Sequence, residues 1–183
     1  MSLTDRELWT LVHGMGFGAL YLLAFAGGLA GLYSLRPQLL TAEGISERIV
    51  RLRCGTVLMA VLVWLTVIIG TFVVYPWYRA TPAEGVDTTV QSEELRTYPR
   101  YWLLASEETA QAHEFGMEWK EHVAWIAPLL ATVVAFAVFR YGKELVHNQK
   151  ARTYIIIFFV LSFAVAGIAG ALGALITKAA PLL

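Results

Sequence analysis

Two histidines, His13 and His122, each lie about one to two turns inside the same end of a different apolar segment. An imidazole at membrane depth costs free energy, so a residue of this kind is usually functional and has a partner. Two neutral imidazoles that face each other across a helical bundle can fill both axial positions of a haem iron, leaving no position open for substrate. The pair therefore predicts a non-covalent b-type haem that carries electrons.

The neighbours of the two histidines suit a wide, flat cofactor. Met15 and Gly16 follow His13 in a glycine-rich run, and Trp125 follows His122 on the same helical face. We expect these residues to complete the haem site. With 3.6 residues per turn, the face of His13 continues through Gly16, Leu20, Ala24, Gly27 and Gly31. Small residues mark the packed side of a membrane helix, so this face is expected to point into the bundle.

The face of His122 is expected to form the opposite wall of the site. It runs through Glu114, Glu118, His122, Trp125, Leu129, Val133 and Phe136. Pro128 lies further along this segment and frees the carbonyl of Ala124 from its helical hydrogen bond. A kink there would either widen the bundle around a cofactor or be one of the prolines that membrane helices tolerate.

A non-haem metal centre is the alternative site. Its ligands would be His13, His113, Glu114, Glu118 and His122, a set that suits zinc, iron or manganese. The Glu-x-x-His pair of di-iron bundles is absent, because Trp119 stands three residues before His122. The single cysteine, Cys54, excludes a CxxCH attachment site for covalent haem. His147 is expected to be a surface residue.

Composition indicates an integral membrane protein. The chain is 57% hydrophobic and 15% charged, with a mean hydropathy of +0.59, far from the values of a soluble domain. Four segments are long enough to cross a bilayer: 8–35, 55–77, 123–141 and 154–176. Their unbroken apolar character favours helices over barrel strands. The sequence therefore predicts one all-α membrane domain over 1–183, folded as an up-and-down bundle of four transmembrane helices.

Orientation follows from the distribution of basic residues. The short loops 36–53 and 140–152 contain eight Lys and Arg against three acidic residues, although the whole chain has fourteen of each. These loops are expected to be cytoplasmic, which places both termini and the segment 78–122 outside a bacterial-type inner membrane. The third helix is expected to begin near residue 105 and to extend beyond the bilayer. Its acidic outer part would suit a basic soluble electron-transfer partner.

These features limit the classes of function. No phosphate-binding loop, nucleophile elbow or dinucleotide fingerprint is present, and the basic residues are explained by topology rather than by nucleic-acid binding. The bundle with two histidines resembles four-helix membrane cytochromes b in architecture. We expect an electron-transfer subunit of a respiratory or photosynthetic assembly rather than a stand-alone enzyme, in contact with lipid and other membrane subunits. The alternative is a cofactor-free accessory subunit of such a complex.

Overall fold

Four long helices form the protein. The computed structural model describes residues 3–180. Of these residues 83% are helical, and none lies in a strand. The helical stretches Asp5–Tyr33, Ala42–Tyr78, Glu107–His147 and Gln149–Ala179 are each long and apolar enough to cross a membrane. We call them the first to fourth long helices. As predicted, the protein is an all-helical, multi-pass membrane protein.

Polar caps place three of the helix starts outside the apolar segments. Thr4 and Glu7 form a reciprocal capping box at the start of the first helix. The side chain of Thr41 accepts a hydrogen bond from the backbone of Gly44, so the second helix starts thirteen residues before the predicted apolar segment. Asn148 caps the fourth helix in the same way. Hydropathy locates membrane crossings, whereas capping side chains locate helix ends.

The bundle has two ends, which we name by their connections. Short connections join the first helix to the second and the third to the fourth at the turn end, and the long segment 79–106 joins the second to the third at the loop end. At the turn end, Arg152 is buried and its guanidinium Nη1 donates hydrogen bonds to three backbone carbonyls, those of Leu35, Leu145 and Val146, at 2.8, 2.9 and 3.1 Å. One side chain thus ties together the ends of the first and third helices.

The loop end has a small hydrophobic core of its own. The connection contains a 3₁₀ turn, Leu95–Thr97, and a short helix, Pro99–Leu104. Leu103 packs against Tyr78, Met117 and Ile176. The indole Nε1 of Trp102 donates to the carbonyl of Ala179 at 3.1 Å. These contacts hold the long connection against the second, third and fourth helices.

Three π-helical turns occur at the loop end: Val12–Gly18, Gly70–Val74 and Ala112–Met117. A π turn adds one residue to a helix and is frequent at functional sites. The first of them changes the register of its helix. Beyond it, the packed residues are Tyr21, Phe25, Gly28 and Leu32, each one position after a residue on the predicted face. The expectation that Leu20, Ala24 and Gly27 share the inward face of His13 is therefore wrong.

The third helix packs through its smallest residues. Ala124, Ala127, Ala131 and Ala135 are buried, whereas Leu129, Val133 and Phe136 are 55%, 46% and 63% exposed. Small side chains let helix backbones approach closely where lipid offers no hydrophobic driving force for association. The large side chains on the opposite face are left to contact lipid. The face of Leu129, Val133 and Phe136, predicted to form an inner wall, is thus the outer face of the helix.

A buried chain of hydrogen bonds crosses the core between three helices. The hydroxyl of Ser162 donates to the carbonyl oxygen of Ala127 at 2.7 Å, and the hydroxyl of Tyr21 lies 2.6 Å from the same Ser162 oxygen. Because the single proton of Ser162 is used by Ala127, Tyr21 must be the donor to Ser162. Tyr21 and Ser162 are 1% and 0% exposed.

Candidate functional site

His13 lies in the first π turn and is held by the second helix. Its Nδ1 is 2.7 Å from the backbone carbonyl oxygen of Thr66. A carbonyl oxygen only accepts hydrogen bonds, so Nδ1 carries the proton and donates. The neutral ring then presents an unprotonated Nε2. A hydrogen bond of this kind fixes tautomer and ring orientation in metal-binding histidines.

Gly70 makes room for the imidazole. A Cβ atom built at Gly70 would lie 2.5 Å from Cε1 of His13 and 3.0 Å from Nδ1. Every other residue type would therefore clash with the ring. Gly70 is the first residue of the second π turn, Gly70–Val74. Two π turns on neighbouring helices thus fit the imidazole between them.

The positive charge of Lys120 acts on the ring of His13. Its ammonium group rests on the fourth helix, where a Cβ built at Gly173 would lie 2.6 Å from Nζ. No acidic partner is paired with Lys120 among residues 3–180. One turn before His13, the hydroxyl of Thr10 is also buried without a hydrogen-bond partner. Three polar groups with unused hydrogen-bonding capacity therefore occur in this part of the loop end: Nε2 of His13, Nζ of Lys120 and the hydroxyl of Thr10.

His122 lies on the exposed side of its helix. Its side chain is 70% exposed, and Nδ1 is 3.0 Å from the backbone carbonyl of Glu118 and 3.5 Å from the carboxylate of the same residue. The expectation that His122 faces inward opposite His13 is wrong in this arrangement. Lys120 takes the inward position on this part of the helix, because it lies on the same helical face as the buried residues Ala124 and Ala127. The role of His122 as a ligand stays a prediction.

The other predicted site residues lie at separate places. Met15 is 67% exposed on the outer surface of the first helix. Gly16 has only atoms of its own helix, from Leu11 and Val12, within 4 Å of a built Cβ. Trp125 is half-buried, and its ring packs edge-on against Trp64 of the second helix, with centroids 6.1 Å apart.

His113 belongs to a second polar group, which sequence reasoning missed. Its Nδ1 is 2.8 Å from the hydroxyl of buried Tyr78, and the charges of Arg100 and Glu121 act on its ring. These residues are far apart in sequence and meet only through the packing of the loop end. The third π turn, Ala112–Met117, carries His113. All three π turns therefore contribute to the surroundings of a histidine.

The ligands of the alternative metal centre do not converge. Within the described part of the chain, no group of three His, Cys, Asp or Glu side chains is placed to hold a metal ion. His113 turns toward Tyr78, whereas Glu114, Glu118 and His122 are exposed. His147 lies at the turn end, within the last turn of the third helix.

Comparison of the chain with family models, with curated proteins and with solved structures found no match. A half-buried imidazole with its Nδ1 proton engaged, as in His13, can either bind a metal through Nε2 or accept a proton there.

Proposed function

We propose that the protein is a membrane electron-transfer subunit that binds haem b non-covalently at the loop end, with His13 and His122 as axial ligands. The observation that supports it is the orientation of His13. Its Nδ1 donates to the carbonyl of Thr66 and its ring lies against Gly70, so Nε2 is the nitrogen left for iron. An imidazole oriented by a backbone carbonyl is a common arrangement for a metal ligand.

The proposal includes an orientation in the membrane. We place the basic turn end in the cytoplasm and the loop end outside, as an up-and-down bundle in a bacterial-type inner membrane. The excess of Lys and Arg in the loops 36–53 and 140–152 supports this orientation. His13 would then lie near the outer face, where electrons could be exchanged with a soluble partner or a neighbouring membrane subunit.

The second ligand requires a local change in the third helix. The helix is interrupted by a turn at residues 123–125, directly after His122 and before Pro128. Binding through His122 would require the segment before this turn to rotate relative to the helix that follows it. His122 is prepared for ligation in the same way as His13, because its Nδ1 donates to the carbonyl of Glu118.

A basic side chain outside the rotating segment suits the acidic groups of the cofactor. Haem supplies one-electron redox chemistry and carries two propionate carboxylates. The Nε of Arg100 is buried without a hydrogen-bond partner, and Arg100 lies on the separate short helix Pro99–Leu104. Charged donors of this kind bind carboxylates with short, strong hydrogen bonds. Arg100 would therefore hold a propionate and offset its charge.

Visible absorption spectra of the purified protein, oxidised and then reduced with dithionite, test the proposal. After expression with ample haem, the wild type should give a low-spin spectrum with sharp alpha and beta bands. His13→Ala and His122→Ala should each abolish this spectrum or convert it to high spin, since one imidazole leaves an open position. His147→Ala should leave it unchanged, because His147 lies at the opposite end of the protein.

His113→Ala separates the two possible second ligands. If His113→Ala removed the low-spin spectrum while His122→Ala retained it, the ligand would be His113. A wild type that contains no haem, or a His13→Ala variant that keeps the low-spin spectrum, would refute the proposal.

A cofactor-free accessory subunit is the second candidate. It is supported by the fourth helix, where Gly167 and Gly170 have no atom within 4 Å of a built Cβ and Ile168 is 44% exposed. Small residues that pack against nothing within the chain would suit a helix of a larger complex. The wild type would then purify without haem and associate with other membrane subunits through this face.

A further inference from the structure

An apolar groove runs between the first and second helices near the turn end. It has a volume of about 870 Å³ and lies far from the histidines of the loop end. Its walls are formed mainly by small and aliphatic side chains, among them Ala24, Gly27, Gly55 and Leu62. At one end the groove reaches two arginines, Arg48 and Arg51, together with Glu47 and Ser34.

Glycines create the space in this groove. Nothing lies within 4 Å of a Cβ built at Gly27 or at Gly55. By contrast, the neighbouring Gly28 is in tight contact, because a Cβ there would lie 2.8 Å from Cζ of Phe159. Gly28 therefore serves the packing of the bundle, whereas Gly27 and Gly55 leave an open channel on its surface.

The arginines give the groove a basic end. Arg48 donates a hydrogen bond to the hydroxyl of Ser34. Arg51 pairs with Glu47, but the two side chains are 79% and 66% exposed. An ion pair that is this exposed is weak, so Arg51 is free to exchange its partner for another anion. Two guanidinium groups and one carboxylate, that of Glu47, thus lie at the point where the apolar channel begins, so the charge there is net positive.

The length of the groove matches one leaflet of a bilayer. From Arg51 to Leu62 the second helix rises about 16 Å at 1.5 Å per residue. The hydrocarbon core of a bilayer is about 30 Å thick, so one leaflet is about half of it. A partner helix would cross the whole core, whereas an acyl chain occupies one leaflet. The length of the groove therefore favours an acyl chain, and the charge at its end favours an anionic head group on that chain.

We propose that this groove binds one anionic glycerophospholipid. Its phosphate contacts Arg48 and Arg51, and one acyl chain lies along Gly27 and Gly55 toward Leu62. Basic pockets between membrane helices recognise lipid head groups through charge. The groove adds shape, because its glycines admit a chain where larger side chains would exclude it. This site is independent of the haem site.

The test measures lipid retained by the purified protein, by native mass spectrometry after reconstitution in phosphatidylglycerol or phosphatidylcholine nanodiscs. The wild type should retain about one phosphatidylglycerol per chain and at least tenfold less phosphatidylcholine. The double variant Gly27→Leu/Gly55→Leu, which fills the channel, should lose at least nine-tenths of the retained lipid. Gly167→Leu/Gly170→Leu is the matched control, since these open glycines of the fourth helix lie outside the groove.

A second pair of variants tests the head-group contact. Arg48→Gln/Arg51→Gln should abolish the preference for phosphatidylglycerol, whereas Arg140→Gln/Lys143→Gln, which removes two basic residues outside the groove, should preserve it. Far-ultraviolet circular dichroism confirms that each variant is folded. Equal retention by the filled variant and the wild type would overturn the proposal. A filled variant that changes oligomeric state with no change in retained lipid would assign the groove to a second copy of the chain instead.

Discussion

The hydrogen-bonded chain from Tyr21 through Ser162 to Ala127 predicts a strongly non-additive double-mutant cycle. Ser162→Ala removes the acceptor of the Tyr21 hydroxyl and leaves that hydroxyl buried without a partner. An orphaned buried donor costs about 1–3 kcal/mol, in addition to the lost bond to Ala127. Tyr21→Phe removes one donor and orphans nothing, because Ser162 keeps its bond to Ala127.

The expected magnitudes follow from these differences. Hydrogen bonds between membrane helices contribute about 0.6 kcal/mol on average, so Tyr21→Phe should cost about 0.5–1 kcal/mol. Ser162→Ala should cost about 2–3 kcal/mol. The double variant replaces both partners by apolar groups and should cost only about 1 kcal/mol. The double variant should therefore be more stable than Ser162→Ala alone.

The free energy of unfolding can be measured by titrating detergent-solubilised protein with sodium dodecyl sulfate and following circular dichroism. Tyr154→Phe is the matched control, since Tyr154 is 63% exposed and its hydroxyl makes no hydrogen bond within residues 3–180. It should change the free energy of unfolding by less than about 0.5 kcal/mol. If the effects of the two core variants add, or if Ser162→Ala costs no more than Tyr21→Phe, the donor assignment is refuted.

Three further predictions concern other parts of the structure. Arg152→Met should lower the free energy of unfolding by about 2–3 kcal/mol in the same assay, because three carbonyls lose a charged donor; an unchanged value would refute this role. Gly70→Ala should abolish the low-spin haem spectrum, because the new methyl group overlaps the imidazole, whereas Gly14→Ala, with nothing within 4 Å, should preserve it. In intact cells Cys54 should react only with membrane-permeant thiol reagents, whereas Thr89→Cys should react with impermeant ones; labelling of Cys54 from outside would reverse the orientation.

Sequence reasoning located the four long apolar helices but not all of the surfaces through which they pack. Length and hydropathy suffice to locate a crossing, since a bilayer demands a long apolar run. The choice of packed face depends on which side chains allow close approach. On the third helix the series Ala124, Ala127, Ala131 and Ala135 carries that signal, and the large apolar residues do not. If small residues had been used to choose the packed face of this helix, the prediction would also have placed Lys120 inward, because Lys120 lies on the face of these alanines.

The surroundings of the histidines could be predicted only in part. The inward direction of His13 followed from its glycine-rich neighbours, and the close approach of its ring to Gly70 of the second helix agrees with that expectation. Its hydrogen bond to Thr66 and the contact of Tyr78 with His113 join residues 53 and 35 positions apart. Contacts at such separations depend on how whole helices are set against each other. Spacing along one helix does not contain that information.

The number of residues in the π turn Val12–Gly18 sets the rotation of the helix before it relative to the helix after it. An α-helix rotates by about 100° per residue, so removing one residue from this turn would leave the helices on both sides intact and rotate one relative to the other by about that amount. His13 would swing away from the second helix, while Tyr21 and Gly28 kept their neighbours. A single-codon deletion here would therefore redirect the imidazole without unfolding the bundle. The number of residues in this short segment, more than the identity of its side chains, determines where His13 points.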